Sequence, residues 1–371
     1  MASKRDLRLD TIRGVMLLIM AINHLPWAKT PITGEPFGFV SAAEGFVFLS
    51  GLVCAMAYGK TFLQKSFEEA RHKIVKRVQK IFTYHYGSLL ALMALAFLLP
   101  LRSWIPLLSP LDNEPLTAAV LGAFLLYQPA YLDILPLYCL LLLVMPWLLV
   151  QFKKGHGLLI LATSFALWVL AQVGVYQHGV TFLASFLPVR MGIFDYLAWQ
   201  FLFVLGAYLG FMSLQNVPVI SKIGPLWYCC LGMALCFLVL RHLAAPGSSI
   251  HMPFFSDFLS LAEKNMLRPL RLLNFLVLAY LVAVAAKTWP KAFIAEPLAR
   301  MGQKSLELFT IHVFLIYVVF TWKQAFQNSV SLQVATAIAL IGALWGLTTL
   351  LQNRMSLPAP NRQTTVPKRL S

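Results

Sequence analysis

Long apolar segments recur along the whole chain, and they constrain its fold more than any other feature. An α-helix needs about 20 residues to cross the hydrocarbon core of a bilayer. Because 59% of the residues are hydrophobic and only 12% are charged, we predict an all-α, polytopic membrane protein. The apolar runs of bilayer length are the opening segment 9–25 and the segments 37–59, 81–101, 134–151, 157–174, 195–213, 225–241, 269–286, 305–322 and 332–350.

A further apolar stretch at 116–128 is too short to cross, and Pro129 and Asp133 follow it closely. If it does not cross, most of the 30 lysines and arginines fall on one side, which the positive-inside rule makes cytoplasmic. A full crossing would place the later basic clusters outside. We therefore predict about ten transmembrane helices with both termini in the cytoplasm, and a re-entrant or half-inserted helix near 116–128.

Residues 1–350 are predicted to form one integral membrane domain, and the Pro-rich, basic segment 351–371 a disordered cytoplasmic tail. Segment 60–80 combines seven basic residues with apolar residues at helical spacing. Two interpretations remain open for it. It is either an amphipathic helix on anionic lipid of the inner leaflet or an ordinary basic loop.

The formal net charge of +16 raises the question of a nucleic-acid partner, but the basic residues cluster in short segments between apolar runs. The chain contains no zinc-finger spacing and no GxxxxGK[ST] phosphate-binding loop, so we expect neither nucleic-acid binding nor ATP hydrolysis. The five cysteines lie inside apolar runs without the spacing of a metal site. We expect no metal ion and no bound cofactor.

The opening apolar segment carries three side chains that hydrocarbon excludes unless they have partners or face a cavity: Asp10, Arg13 and His24. At about 100° per residue, Arg13 and His24 lie on one face of a helix and about 16 Å apart along it. Asp10 and Arg13 are spaced to form an i to i+3 ion pair. The segment therefore predicts a polar track across the membrane.

Glu44 lies near the outer end of the second apolar run, close to the predicted depth of His24. We expect its carboxylate to orient the imidazole, which would make His24 a general base. The alternative is structural. An intramembrane histidine can serve as an interhelical hydrogen-bonding group, and Asp10 and Arg13 are near enough to the boundary to reach the headgroups.

The same residues carry a resemblance. The segments "LDTIRGVMLLIMAINHLPW", "FGFVSAAEGFVFLSGLVCAMAYGK" and "GQKSLELFTIHVFLIY" resemble the OpgC family, a branch of the membrane acyltransferase-3 superfamily. The most specific features are Arg13, followed after ten residues by His24, and E-x-F-x-F-L-S-G from Glu44 to Gly51.

The resemblance implies a ten-helix enzyme of the bacterial inner membrane with cytoplasmic termini. Such an enzyme would transfer a short acyl group, succinyl by family association, from a cytoplasmic acyl-CoA to a periplasmic glucan or other carbohydrate. His24 resembles the essential histidine and Arg13 its motif partner, whereas Asp10 and Glu44 fall in matching text without an assigned role.

Donor binding is expected at the cytoplasmic ends of the helices, because acyl-CoA is a polyanion. Arg13 and Lys304 are candidates for its phosphates, although Lys304 can also be an ordinary positive-inside charge. Ser305 is a candidate N-cap for the ninth helix. His312, about two turns further along, is expected either to line the donor tunnel or to make a structural hydrogen bond.

The outer loops supply aromatic and polar side chains that suit sugar binding, although aromatic residues at an interface are also ordinary belt residues. The competing functional class is a proton-coupled transporter or flippase of a glycan or lipid, because the same polar track could relay protons. The outer-loop candidates are Trp104, Tyr131, Asp133, Arg190, Asp195, Trp199, His251, Phe254, Phe255 and Asp257.

Overall fold

A computed structural model describes residues 6–27, 34–99, 104–108, 114–215, 223–243, 259–327 and 329–356. Within these ranges the chain is helical and forms no strand, apart from one isolated bridge between Tyr127 and Arg190. The predicted all-α class is confirmed. His251, Phe254, Phe255 and Asp257, which were candidates for sugar binding, lie outside the described residues.

The helices follow one another with short connections. They are α1 Leu7–Asn23, α2 Ala42–Gln64, α3 Phe67–Leu98, α4 Ile105–Leu108, α5 Pro115–Ala123, α6 Ile134–Lys153, α7 Gly157–Gln172, α8 Val175–Ala184, α9 Tyr196–Leu214, α10 Pro225–Leu243, α11 Pro269–Thr288, a 3-10 turn Pro290–Phe293, α12 Glu296–Gln303, α13 Ser305–Thr321, α14 Lys323–Gln327 and α15 Val330–Ser356.

Seven of the described helices are long and apolar enough to cross a membrane by themselves. Two bent pairs bring the total to nine if each pair is one span: α7 with α8, bent by 63°, and α12 with α13, bent by 83°. Helix α1, with 17 residues, is slightly shorter than the others. The chain is therefore a multi-pass membrane protein, whereas about ten spans and cytoplasmic termini stay predictions.

The stretch at 116–128 does not form a long helix. Helix α5 has nine residues, which is too short for a crossing, and it ends at Phe124. Leu125 then adopts a φ of +62°, a left-handed conformation that reverses the chain direction. The structure therefore agrees with the expectation that this stretch does not cross, and its half-inserted position stays a prediction.

Segment 60–80 is neither a separate surface helix nor a loop. It contains the end of α2 and the beginning of α3, joined only through Lys65 and Ser66. Ala70 and Ile74 are buried at 1% exposure, so this part of α3 packs into the bundle. With 32 residues, α3 is about 48 Å long, so its basic end extends beyond a hydrocarbon core of about 30 Å.

The predicted boundary at 350 is six residues too early, because α15 continues to Ser356. An apolar helix continues as long as its last residues form backbone hydrogen bonds, and the segment after 350 has no proline before Pro358. The rest of the predicted tail, 357–371, lies outside the described residues.

Two helix pairs pack at backbone contact distance because glycines line their interfaces. A Cβ atom on Gly51 of α2 would lie 2.0 Å from the carbonyl oxygen of Phe203 in α9, and one on Gly206 would lie 2.2 Å from that of Phe48. Helices α1 and α12 meet in the same way, since a Cβ on Gly302 would lie 1.9 Å from the carbonyl oxygen of Asp10. Small residues allow such close approach between membrane helices.

Helix α2 runs antiparallel to α1. Gly45 near the start of α2 contacts Met16, whereas Cys54 further along α2 shares a cavity with Arg13. We call the end of the bundle where α1 begins the N-terminal side, and the end where α1 reaches His24 the His24 side.

Candidate functional site

Two imidazole rings meet at the His24 side. His24 is the C-cap of α1, and its Nδ1 lies 2.8 Å from Nε2 of His312 in α13. The ring planes differ by only 23°, so the hydrogen bond lies nearly in the plane of both rings. His312 is fully buried. One nitrogen must donate and the other accept, and the shared hydrogen bond therefore couples the tautomers of the two rings.

The position of His312 differs from the expectation that it lines a donor tunnel. That expectation placed the start of α13 at the cytoplasmic boundary. Instead, α12 and α13 form a sharply bent pair, and α13 begins at Ser305, which lines the same cavities as Arg13. Because α13 starts at this level within the bundle, His312 two turns later reaches His24.

Tyr131 holds the other surface of the His24 ring. The centroids of the two rings are 4.4 Å apart. Tyr131 has a φ of +69°, which is strained for a residue with a side chain. Burial, together with the nearby Asp133 carboxylate, raises the pKa of Tyr131 to about 12. Its hydroxyl therefore stays protonated at neutral pH and can donate a hydrogen bond at the site.

The turn that carries Tyr131 is tied to the segment before α9. The backbone N–H of Gln128 donates to the carbonyl of Arg190 at 2.8 Å, and the Gln128 side-chain oxygen accepts from Gly192 at 3.0 Å. Asp133 accepts from the N–H of Ile193 at 3.0 Å, and burial raises the pKa of this carboxyl. These contacts hold the strained turn in place.

Glu44 does not orient His24, which corrects the expectation from their similar depth. One carboxylate oxygen accepts from Arg271 Nη1 at 2.9 Å, and the other accepts from the backbone N–H and hydroxyl of Ser41 at 3.0 and 2.7 Å. Glu44 thus closes a capping box at the start of α2 and pairs with the first turn of α11. Helical spacing predicts depth along the membrane but not which neighbouring helix a side chain faces.

Arg271 links several elements on the His24 side. Besides Glu44 it binds Glu35, which also accepts from Arg241 at 2.5 Å. Burial alone would raise the pKa of Glu35, but the charge and hydrogen bonds of the two arginines hold it below its ordinary value. We call Glu35, Glu44, Arg241 and Arg271 the ion-pair clamp. Arg271 was missed because an arginine at a helix end reads as a boundary charge.

Asp10 and Arg13 lie on the face of α1 that looks toward α12 and α13. Asp10 is 4% exposed and accepts from Gln303 Nε2 at 3.3 Å. Arg13 has a buried Nε that finds no hydrogen-bond partner among the described residues, and its side chain lines two adjoining cavities. A buried N–H donor without a partner is costly, so this site fits an anionic ligand.

The larger of these cavities, about 300 Å³, lies on the N-terminal side and is basic. It contains three of the predicted donor-binding residues, Arg13, Lys304 and Ser305. Ser305 is the first residue of α13, and Lys304 is its N-cap, contrary to the predicted assignment. Two further basic residues were missed: Arg77 and Lys80, the second paired with Glu307 at 2.6 Å. Both belong to the basic segment of α3, which sequence alone treats as topological charge.

A narrow apolar channel of about 60 Å³ adjoins the basic cavity, and the two share Arg13, Ser50 and Cys54. It continues toward the His24 side. Its apolar lining consists of Met20, Phe46, Ile81, Ile134, Leu135, Leu142, Phe203, Leu306 and Phe309. Phe309 contacts the His312 ring edge to face, at 5.0 Å between centroids. The basic cavity, the channel and the histidine pair therefore follow one another along the bundle.

Three of the outer-loop candidates are structural. Trp104 is 2% exposed and donates to Thr321, and Trp199 is fully buried and donates to the carbonyl of Asn265. Asp195 caps the start of α9. Buried side chains with these partners are not available for a sugar. Among the residues that the structure describes, no group of three or more histidine, cysteine or acidic side chains could hold a metal ion.

The fold and the site define a class: a multi-pass α-helical membrane protein with a buried imidazole pair at the end of a track that begins in a basic cavity. A family model described as "OpgC protein" matches residues 5–356. The chain therefore belongs to the OpgC family, and the resemblance seen in the sequence is confirmed. Membership implies an acyltransferase-type membrane enzyme. In comparisons with curated proteins and with solved structures, nothing matches the chain.

Proposed function

We propose that this protein transfers a short acyl group from acyl-CoA on the N-terminal side to a carbohydrate hydroxyl on the His24 side. The observation that carries the proposal is the order of the site: basic cavity, narrow channel, then His24 hydrogen-bonded to His312 at 2.8 Å. An anionic donor and a general base are the two components that this reaction needs, and they lie at opposite ends of one track.

The donor end is argued from charge. Arg13, Arg77, Lys80 and Lys304 converge on one cavity, and phosphates are the ligands that such clusters recognise. The positive-inside rule makes the N-terminal side cytoplasmic, where acyl-CoA is available. The pantetheine arm of CoA is a slender chain, and the about 16 Å from Arg13 to His24 along α1 is the distance that it would cover.

The chemistry requires one proton acceptor. With Nδ1–H of His24 donating to Nε2 of His312, Nε2 of His24 keeps its lone pair and can act as general base. The acceptor hydroxyl oxygen attacks the thioester carbonyl carbon, a C–O bond forms and the C–S bond breaks. The hydroxyl proton passes to His24 and then to the departing CoA sulfur. No oxidant or reductant is needed.

Succinyl as the acyl group, a periplasmic glucan as the acceptor, and the bacterial inner membrane as the location follow from family association and belong to this proposal. Asp10, which accepts from Gln303 beside the basic cavity, is assigned a positioning role for the donor end. Glu44 is assigned to the ion-pair clamp rather than to the chemistry.

The test is to express the wild type and His24→Ala in a host that lacks the native enzyme and to analyse periplasmic glycans by mass spectrometry. We expect His24→Ala to abolish the added acyl mass while the amount of glycan stays normal. Loss of the glycan itself from the periplasm would support the competing transporter or flippase, and unchanged acylation would refute the enzyme.

The matched control is His178→Ala. His178 is exposed and contacts only the carbonyl of Gly174 within its own helix turn, so its loss removes an imidazole without touching the site. We expect normal acylation in this variant, with membrane levels of both variants equal to wild type by immunoblot.

A further inference from the structure

Two side chains stand between the narrow channel and the histidine pair. Met20 lies one helical turn before His24, and its carbonyl accepts from the His24 N–H at 3.1 Å. Phe309 precedes His312 by three residues, and its ring contacts the His312 ring edge to face. Each histidine therefore has one apolar side chain directly on its donor side.

Met20 and Phe309 both line the channel, whereas neither His24 nor His312 does. Both side chains are 6% exposed, and they close the channel at the end nearest the histidines. A group that travels from the basic cavity to the imidazoles must pass between them.

We infer that Met20 and Phe309 limit the length of the acyl group that can be transferred. This inference rests on the proposed function and adds to it a specificity: the channel admits acyl groups of a few carbons and rejects longer chains. The acyl group forms the leading end of the donor, so it meets these two side chains first.

The physical reason is packing. A channel of about 60 Å³ has room for only a few non-hydrogen atoms, and its walls are large, buried side chains. Each added methylene group must displace Met20 or Phe309 from its preferred rotamer. One methylene group too many in a closely fitting apolar site changes discrimination by about ten-fold or more. Truncating either side chain opens the space that a longer chain needs.

The experiment uses the purified full-length protein with a carbohydrate acceptor and a series of straight-chain acyl-CoAs from acetyl to octanoyl. We expect Met20→Ala and Phe309→Ala to raise the ratio of octanoyl to acetyl transfer by about ten-fold or more relative to wild type. Met20→Phe, which narrows the passage, is expected to lower that ratio.

The matched control is Phe211→Ala, which removes an equally large and fully buried ring that does not line the channel. Its donor ratio should equal that of wild type. If Phe309→Ala does not fold, as judged by thermal unfolding, Phe309→Leu makes the same comparison with a smaller change. An unchanged ratio in the Met20 and Phe309 variants overturns the inference alone. Absence of transfer by wild type from every donor overturns the proposed function, and this inference with it.

Discussion

The His24 imidazole is held from two directions. His312 fixes its plane through the 2.8 Å hydrogen bond, and Tyr131 covers one surface of the ring at 4.4 Å. This leaves Nε2 as the nitrogen that can meet an acceptor hydroxyl. A general base acts efficiently only when its lone pair points at the proton that it removes. The second histidine is therefore expected to matter for catalysis although it is not the base.

Replacing His312 with alanine removes the group that sets the His24 tautomer. We expect the turnover number to fall roughly 10²-fold, with little change in the KM for the acyl donor. The measurement is steady-state transfer of a radiolabelled acyl group to a soluble glycan. The double variant His24→Ala/His312→Ala should be no slower than His24→Ala, because the two residues act as a unit. Additive losses would contradict this assignment.

The basic cavity makes a separate prediction for Arg77, whose role is binding. We expect Arg77→Ala to raise the KM for acyl-CoA by about ten-fold and to leave the turnover number within a few-fold, because a charge-assisted hydrogen bond to phosphate is lost. Lys154→Ala, an exposed basic residue after α6 outside the cavity lining, is the control and should behave as wild type. A fall in the turnover number alone would count against a phosphate site.

Sequence alone went some way toward this site. The 100° rule places Arg13 and His24 on one face of α1, and the structure has one at the cavity and the other at the imidazole pair. The partner of His24 could not be predicted, since His312 is 288 residues away and reaches it only because the α12–α13 pair bends. The E-x-F-x-F-L-S-G text mixes tasks: Glu44 pairs ions, Phe46 and Ser50 line the channel, and Gly51 lets α9 approach.

Among the helices, the ion-pair clamp joins the start of α2, the start of α11, the end of α10 and the connection before α2. Its central pair, Glu44 with Arg271, is almost completely buried, at 0% and 5% side-chain exposure. Removing one partner of such a pair leaves a buried charge without compensation. The clamp thus acts on stability and on the arrangement of the helices around His24.

We expect Arg271→Ala to lower the free energy of unfolding by about 3–5 kcal/mol, as is typical when one member of a buried pair is removed. Thermal unfolding of the detergent-solubilised protein, followed by intrinsic fluorescence, measures the change. Arg300→Ala breaks the exposed ion pair with Glu296 and serves as the control, with a change of about 0–1 kcal/mol. Equal shifts in the two variants would show that the clamp is not a buried structural element.

The clamp also predicts a dependence on pH through Glu35. Its folded pKa lies below the ordinary value of 4.5, so its contribution is fully present above that pH and is lost as the pH falls through the folded pKa. We expect the difference in melting temperature between wild type and Glu35→Gln to be largest near pH 7 and to shrink below pH 4.5. A difference that grows on acidification would contradict the direction of the shift.

For the molecule as a whole, apolar run length and charge predicted the all-α, multi-pass architecture and the short helix before Pro129. They could not predict the bent pairs, because a run of apolar residues has the same composition whether the helix is straight or broken. They also misplaced the segment 60–80, since basic residues at the end of a long span look like a loop. The consequence for function is large, because the bend of 83° brings α13 to His24.

The central claim is that an acyl group crosses the membrane along one track and is transferred at His24. The most direct measurement uses proteoliposomes with acyl-labelled CoA on the N-terminal side and a glycan on the His24 side. We predict labelled glycan with the wild-type protein, none with His24→Ala, and none when donor and acceptor exchange sides. Labelling that persists in His24→Ala, or that does not depend on the side of the donor, would contradict the account.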